Sequence, residues 1–151
     1  MRHCLIVANQ TLTTDTLSAA VERRIAAEPH EFHVVAPATP LDDQLDGPSA
    51  YASLGPSAAD RAYAVAAQRL EQALEHLRTL GATVDGEVGD PDVLEAVREA
   101  LQHVAADEIV VSILPHGLSK WLRRDLPARL RKATDVPVTH LTADQDAGAP
   151  A

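Results

Sequence analysis

A basic segment that directly follows an apolar run carries the side chains best suited to chemistry. The chain has 13 Lys and Arg residues, and several of them crowd into "HGLSKWLRRDLPARLRK", residues 116–132. Lys120, Arg123 and Arg124 stand in its first half. Lysine and arginine neutralise phosphate oxygens, and the arginine fork can bind them through two parallel hydrogen bonds. The segment therefore predicts contact with a phosphate-bearing or otherwise anionic ligand.

The second half of the same segment has a simpler interpretation. In "LPARLRKA" the spacing of Leu126 and Leu130 predicts one buried helical face, which leaves Arg129, Arg131 and Lys132 in solvent. Charge on an exposed helix face is ordinary, so these three side chains are not predicted to bind a ligand. For the basic residues of the first half, ligand contact and pairing with the acidic surface both remain open.

Catalytic and metal-binding patterns are weak. The chain has 7 histidines, but no two have the helical i,i+4 spacing of a zinc site, and no cysteine lies with them. We therefore interpret them as surface or strand-edge residues and predict no metal. His116 could act as a general acid or base near Ser119 and Lys120. The Gly-x-Ser-x-Gly turn of serine hydrolases is missing, so the sequence favours a protein without catalysis.

Composition narrows the class of protein. The formal net charge is −9, which argues against a general nucleic-acid binder. Hydrophobic residues make up 46% of the chain and aromatic residues only 3%, so Ala, Val, Leu and Ile must build the core. The single cysteine, Cys4, fits a reducing compartment. No signal-peptide pattern and no apolar run long enough for a membrane helix is visible. We expect a cytoplasmic protein that does not enter a membrane.

Apolar strands and amphipathic helices alternate along the chain, which predicts an α/β fold with a mostly parallel sheet. Residues 1–142 form one predicted domain, and 143–151 form a flexible tail. A long polar loop is predicted over 38–57. Strands are predicted at 3–9, 31–37, 82–89, 107–114 and 136–142. Helices are predicted at 11–29, 57–81, 90–106 and 125–133. Thr13, Thr14 and Asp15 are candidate N-caps of the first helix, Gly81 ends the second, and Asp90 before Pro91 begins the third.

The parallel sheet selects a binding site. In open sheets of this kind, ligands bind beyond the carboxyl ends of the strands, where the strand order reverses. The predicted binding residues follow the first, second and fourth strands. They are Ala8, Asn9, Val35, Ala36, Ser112, His116, Gly117, Ser119, Arg123 and Arg124.

The alternation of elements, together with "DEIVVSIL" and "LRKATDVPVTHL", resembles the universal stress protein family over residues 2–142. The resemblance implies a three-layer αβα sandwich whose five-stranded parallel sheet has the order 3-2-1-4-5. This architecture is shared with flavodoxin-like and adenine nucleotide alpha hydrolase-like proteins. It also implies a homodimer joined through the last strand, which would lie at a sheet edge.

The binding loop departs from the pattern of nucleotide-binding family members. Those members carry Gly-x-x-Gly, nine residues and then Gly-Ser or Gly-Thr. This loop keeps only Gly117 and has Arg123-Arg124 where the Gly-Ser pair should open the final helix. Asn9 stands where the family has an acidic residue. We therefore expect that ATP is not bound in the family's usual way. Arginine could replace the lost backbone donors, so ATP, AMP or another small anion remains a candidate ligand.

Three functions follow, in order of preference. The first is a non-catalytic stress-response or regulatory protein that binds a nucleotide or another anion. The second is an enzyme that transfers or hydrolyses a phosphate-bearing group through His116, Ser119 and Lys120. The third is an interaction module in which Trp121 and the basic segment dock an acidic protein partner.

Overall fold

The structure is a computed structural model that describes residues 1–8, 12, 14–38, 58–113 and 126–142. Strands and helices alternate along these residues. The strands are β1 Arg2–Val7, β2 His30–Pro37, β3 Thr83–Gly89, β4 Glu108–Ile113 and β5 Val138–Thr142. The helices are α1 Asp15–Ala27, α2 Ala58–Thr79, α3 Val93–Leu101 and α4 Leu126–Ala133.

The strands form one sheet in the order β3-β2-β1-β4-β5, and every neighbouring pair is parallel. The predicted fold class and strand order are confirmed. Parallel neighbours need a crossover on one face of the sheet, and the helices between the strands supply it. Strands β3 and β5 are the two edges, while β1 lies at the centre.

Alternate residues of the central strands feed two separate cores, one on each face of the sheet. Cys4 and Ile6 point to the side covered by α1 and α2, whereas Leu5 and Val7 point to the side covered by α3 and α4. This explains the nearly continuous apolar run of β1, because a strand buried on both faces has no polar side.

Local signals place the helix ends. The Thr14 side chain accepts a hydrogen bond from the backbone N–H of Leu17 at 3.4 Å, which confirms its predicted role as the N-cap of α1. Gly81 follows α2 with φ +96°, a left-handed conformation that glycine adopts without strain.

The predicted cap of α3 was wrong by two residues. Asp92, not Asp90, is the N-cap, because its carboxylate accepts from the backbone N–H of Leu94 and Glu95. Asp90 instead accepts from the N–H of Asp92 at 2.8 Å and shapes the approach to the helix.

A partly buried ion pair ties α1 to the start of β4. Arg24 donates to both carboxylate oxygens of Glu108, through Nε at 2.9 Å and Nη2 at 2.8 Å. Thr139 of β5 donates its hydroxyl to the same carboxylate at 2.6 Å. The hydrogen bond from Arg24 is the main reason that the pKa of Glu108 lies below its ordinary value, and burial opposes it. Among the described residues, no helix is both long and apolar enough to cross a membrane.

Candidate functional site

The sequence predicts a site beyond the carboxyl ends of β1 and β4, on the side of the sheet where all five parallel strands end. We call this side the carboxyl edge, as distinct from the edge strands β3 and β5. The chain runs outward from β1 to β2 and β3, then returns across β1 to add β4 and β5. The strand order therefore reverses between β1 and β4, where ligands of open parallel sheets bind.

Four of the predicted binding residues lie at or near the carboxyl ends of these strands. Ala8, Val35, Ala36 and Ser112 are each almost fully buried, with exposed fractions of 0%, 0%, 0% and 1%. The backbone N–H of Ala8 donates to the carbonyl of Val35 at 3.2 Å, so the chain leaves β1 still bonded to β2. With so little of their surface exposed, these four residues offer little side-chain contact to a ligand.

The other predicted binding residues fall outside the described part of the chain. They are Asn9, His116, Gly117, Ser119, Arg123 and Arg124. Lys120 and Trp121, and the 38–57 loop beyond Ala38, also fall there.

The second half of the basic segment behaves as predicted. Leu126 and Leu130 are buried against the sheet, whereas Arg129, Arg131 and Lys132 are exposed on α4. Arg131 also donates to the carbonyl of Val138 at 3.2 Å, which links α4 to β5. This helix face therefore needs no ligand to explain its charge.

A cavity of about 380 Å³ opens beside the carboxyl ends of β2 and β3. Its wall includes Ala38, Gly89 and Tyr63, with the carboxylates of Asp60 and Glu99. Carboxylates accept hydrogen bonds from hydroxyl and amino groups, and they repel phosphate. This cavity therefore suits the sugar or base of a ligand better than its phosphate. No local sequence pattern predicts this cavity, because its residues come from α2, α3 and the ends of β2 and β3.

A second group of polar side chains lies on the α3 side of the sheet, and no sequence pattern predicted it. His33 and His103 both contact one carboxylate oxygen of Glu87. Burial would raise the pKa of Glu87, but the hydrogen bonds with His103 and His33 outweigh it and hold that pKa below its ordinary value. The spacing patterns used to find metal sites in a sequence describe residues on one helix or strand, whereas these side chains come from three separate parts of the fold.

Comparison with known proteins identifies the fold. No protein-family model and no curated protein matches the chain. Among solved structures, it is similar to a universal stress protein family member from Burkholderia pseudomallei, with 18% identity and a TM-score of 0.60. The match covers 92% of this chain and 94% of that one. The chain has the universal stress protein fold.

Two further structures with the universal stress protein fold contain nucleotides. One is a family member from Arabidopsis thaliana with AMP bound, at 11% identity and a TM-score of 0.59, covering 100% of this chain and 97% of that one. The other is a universal stress protein in complex with cAMP, at 19% identity and a TM-score of 0.55, covering 95% and 98%. At sequence identities this low, the matches establish only a shared architecture, which agrees with the observed strand order.

Proposed function

We propose that the protein is a universal stress protein-like regulator without catalysis, which binds a nucleotide or another small anion at the carboxyl edge. The observation that carries this proposal is the reversal of strand order between β1 and β4, with Ala8 and Ser112 at the point of reversal. Proteins of the same fold with AMP and with cAMP support it. The free, buried Cys4 supports a cytoplasmic location.

The loop chemistry refines the proposal. Gly117 is the one glycine of the family loop pattern that this chain keeps, and Arg123 and Arg124 stand where the family has its Gly-Ser pair. Arginine side chains then supply the phosphate contacts that backbone N–H groups would otherwise make. A ligand with fewer phosphates than ATP fits this change, because a sequence that keeps only Gly117 of the family's glycines has fewer positions where backbone N–H groups can approach a triphosphate closely.

Isothermal titration with ATP, AMP and cAMP tests the proposal. We expect one of them to bind, and we expect the double variant Arg123→Ala/Arg124→Ala to weaken that binding by about tenfold or more, as loss of charge-assisted hydrogen bonds requires. The matched control is Arg129→Ala/Lys132→Ala, which removes the same charge from the exposed face of α4. Equal weakening in both double variants contradicts the proposed role of Arg123 and Arg124, and no binding of any nucleotide by the wild-type protein contradicts nucleotide as the ligand.

Incubating the same purified protein with the nucleotides and measuring product release distinguishes a regulator from an enzyme. The regulator releases no phosphate or AMP from the nucleotides over hours. Turnover that disappears in Lys120→Ala would instead favour the phosphate-transferring enzyme.

We further propose that the protein forms a homodimer through β5. This strand is an edge of the sheet, and its Val138, Thr139 and Leu141 are only partly buried within one chain. An edge strand with apolar side chains is a template for pairing with a second copy. Light scattering coupled to size-exclusion chromatography should give a dimer. We expect His140→Asp, on exposed β5, to shift it toward monomer, whereas Thr83→Asp on the opposite edge should not. A wild-type monomer at all concentrations refutes this proposal.

A further inference from the structure

Three metal-ligating side chains from three different elements converge on the α3 side of the sheet, and we call them the histidine cluster. His33 lies on β2, Glu87 on β3 and His103 just beyond α3. The Glu87 Oε2 atom lies 2.6 Å from Nε2 of His33 and 2.5 Å from Nε2 of His103. One ligand atom from each residue lies within 4.8 Å of the other two.

The fold brings these residues together through strand register and helix length. In the parallel pairing of β2 with β3, His33 stands opposite Asp85, and Val35 stands opposite Glu87. Alternate residues share a face, so His33, Asp85 and Glu87 all project toward α3. Helix α3 ends at Leu101, and a turn in which His103 N–H donates to the Ala100 carbonyl carries the His103 ring back over that face.

The ring of His33 is held in a specific orientation by a second carboxylate. Its Nδ1 lies 2.7 Å from Oδ1 of Asp85, while its Nε2 faces Glu87. A histidine that donates its Nδ1–H to a carboxylate keeps the Nε2 lone pair free for a cation, and this relay recurs around protein-bound metals. An ion pair between one histidine and one glutamate would not need Asp85 or the second imidazole.

The donor set selects the class of ion. Two imidazoles and one carboxylate suit zinc and related first-row divalent ions, whereas magnesium and calcium prefer oxygen ligands alone. With bonds of about 2.0–2.1 Å to a tetrahedral zinc, the ligand atoms stand about 3.3 Å apart. The two contacts to Glu87 must therefore open by about 0.7 Å, which rotation of the more exposed side chains, Glu87 and His103, can supply.

A divalent ion can reach the histidine cluster from solvent, and there is space for water beside it. The side chain of His33 is 13% exposed, that of Glu87 31% and that of His103 54%, so an ion can enter from solvent. A cavity of about 240 Å³ lined by His33, Asp85 and His103 lies beside the cluster and has room for water. The cavity also reaches His3 and Glu31, near the amino ends of β1 and β2, and therefore lies away from the carboxyl edge.

We propose that His33, Glu87 and His103 bind one zinc-class divalent ion, with Asp85 holding the His33 ring in the ligating orientation. The ion joins β2, the edge strand β3 and the end of α3, and water completes its coordination. This proposal does not depend on nucleotide binding at the carboxyl edge.

Zinc chloride titrated against the full chain, in competition with a chromophoric chelator, tests the proposal. We expect one equivalent of zinc to bind. Removing partners one step from a metal weakens binding by about 10- to 100-fold, so Asp85→Asn should fall in that range. Loss of a direct ligand in Glu87→Gln or His103→Ala should weaken binding by more than about 100-fold.

His76→Ala is the matched control, because His76 is an exposed histidine on α2, on the opposite face of the sheet. Its zinc affinity should stay within about twofold of the wild-type value. Cobalt-loaded protein should show visible absorption bands that Glu87→Gln abolishes, and circular dichroism checks that each variant is folded. The proposal fails if folded His103→Ala binds zinc as tightly as the wild-type protein, or if His76→Ala weakens binding equally.

Discussion

The ion pair between Arg24 and Glu108 should contribute far more to stability than a surface pair. Its side chains are only 18% and 19% exposed, and two charge-assisted hydrogen bonds join them. Two unit charges about 4 Å apart attract by about 4 kcal/mol at an effective dielectric of 20. Partial desolvation of both charges offsets about half of this attraction. We therefore expect a coupling free energy of about 2 kcal/mol.

A double-mutant cycle with Arg24→Met and Glu108→Gln measures this coupling through urea unfolding. Arg24→Met alone should cost about 3 kcal/mol, because it leaves the partly buried Glu108 carboxylate without its ion-pair partner and with the Thr139 hydroxyl as a weaker, neutral donor. For a domain of this size, that loss lowers the melting temperature by about 6–12 °C.

Glu95 and Arg98 of α3 form the matched control pair. Their side chains are 50% and 57% exposed, and their closest atoms are 3.8 Å apart. Exposed pairs of this kind couple by about 0.5 kcal/mol or less. If the cycle at Arg24 and Glu108 gives no more coupling than this control, the reasoning from burial and geometry is wrong.

Three further predictions concern acidity, packing and thiol reactivity. Because the pKa of Glu108 is depressed in the folded protein, its stabilising effect is complete above the ordinary glutamate value of 4.5 and is lost as the pH falls through the lower pKa of the folded state. The stability difference between wild type and Glu108→Gln should therefore shrink as the pH falls below 4.5 in chemical unfolding. Leu77→Ala should cost about 2–5 kcal/mol, since Leu77 is 0% exposed, whereas Leu80→Ala, at a partly buried position, should cost less in the same assay; equal losses would contradict this account of the core. Burial raises the pKa of the Cys4 thiol to about 12, so a disulfide reagent at pH 8 should label Cys4 only after denaturation, and rapid labelling of native protein would show that Cys4 is not buried.

The fold was predictable because its signals are local and repeated. The apolar run at residues 3–9 predicts a strand covered on both faces, and β1 is covered by α1 and α2 on one side and by α3 and α4 on the other. Thr14 and Gly81 mark helix ends through their own hydrogen bonding and backbone preference. The prediction of Asp90 as the cap of α3 was wrong because Asp92 offers an equivalent carboxylate two residues later. The backbone path before the helix decides which of the two accepts from the first helical N–H groups.

The carboxyl edge and the acidic cavity differ in how much of each could be predicted from the sequence. Strand alternation predicts that parallel strands end on the same side of the sheet, whereas the order that places β1 beside β4 was implied by the resemblance to the universal stress protein family. The acidic cavity near Asp60 and Glu99 could not be predicted, because no local pattern states which helix passes over which strand.

The amino-acid sequence therefore specified the alternation of elements, the two buried faces of the central strands and the acidic character of the surface, because each depends on neighbours a few positions away. Tertiary structure alone brought His33, Glu87 and His103 to one point. These residues stand 54 and 16 positions apart along the chain, and the register of β2 with β3 and the length of α3 are what join them. Contacts of this kind depend on the whole packed sheet, which explains why no spacing rule revealed them.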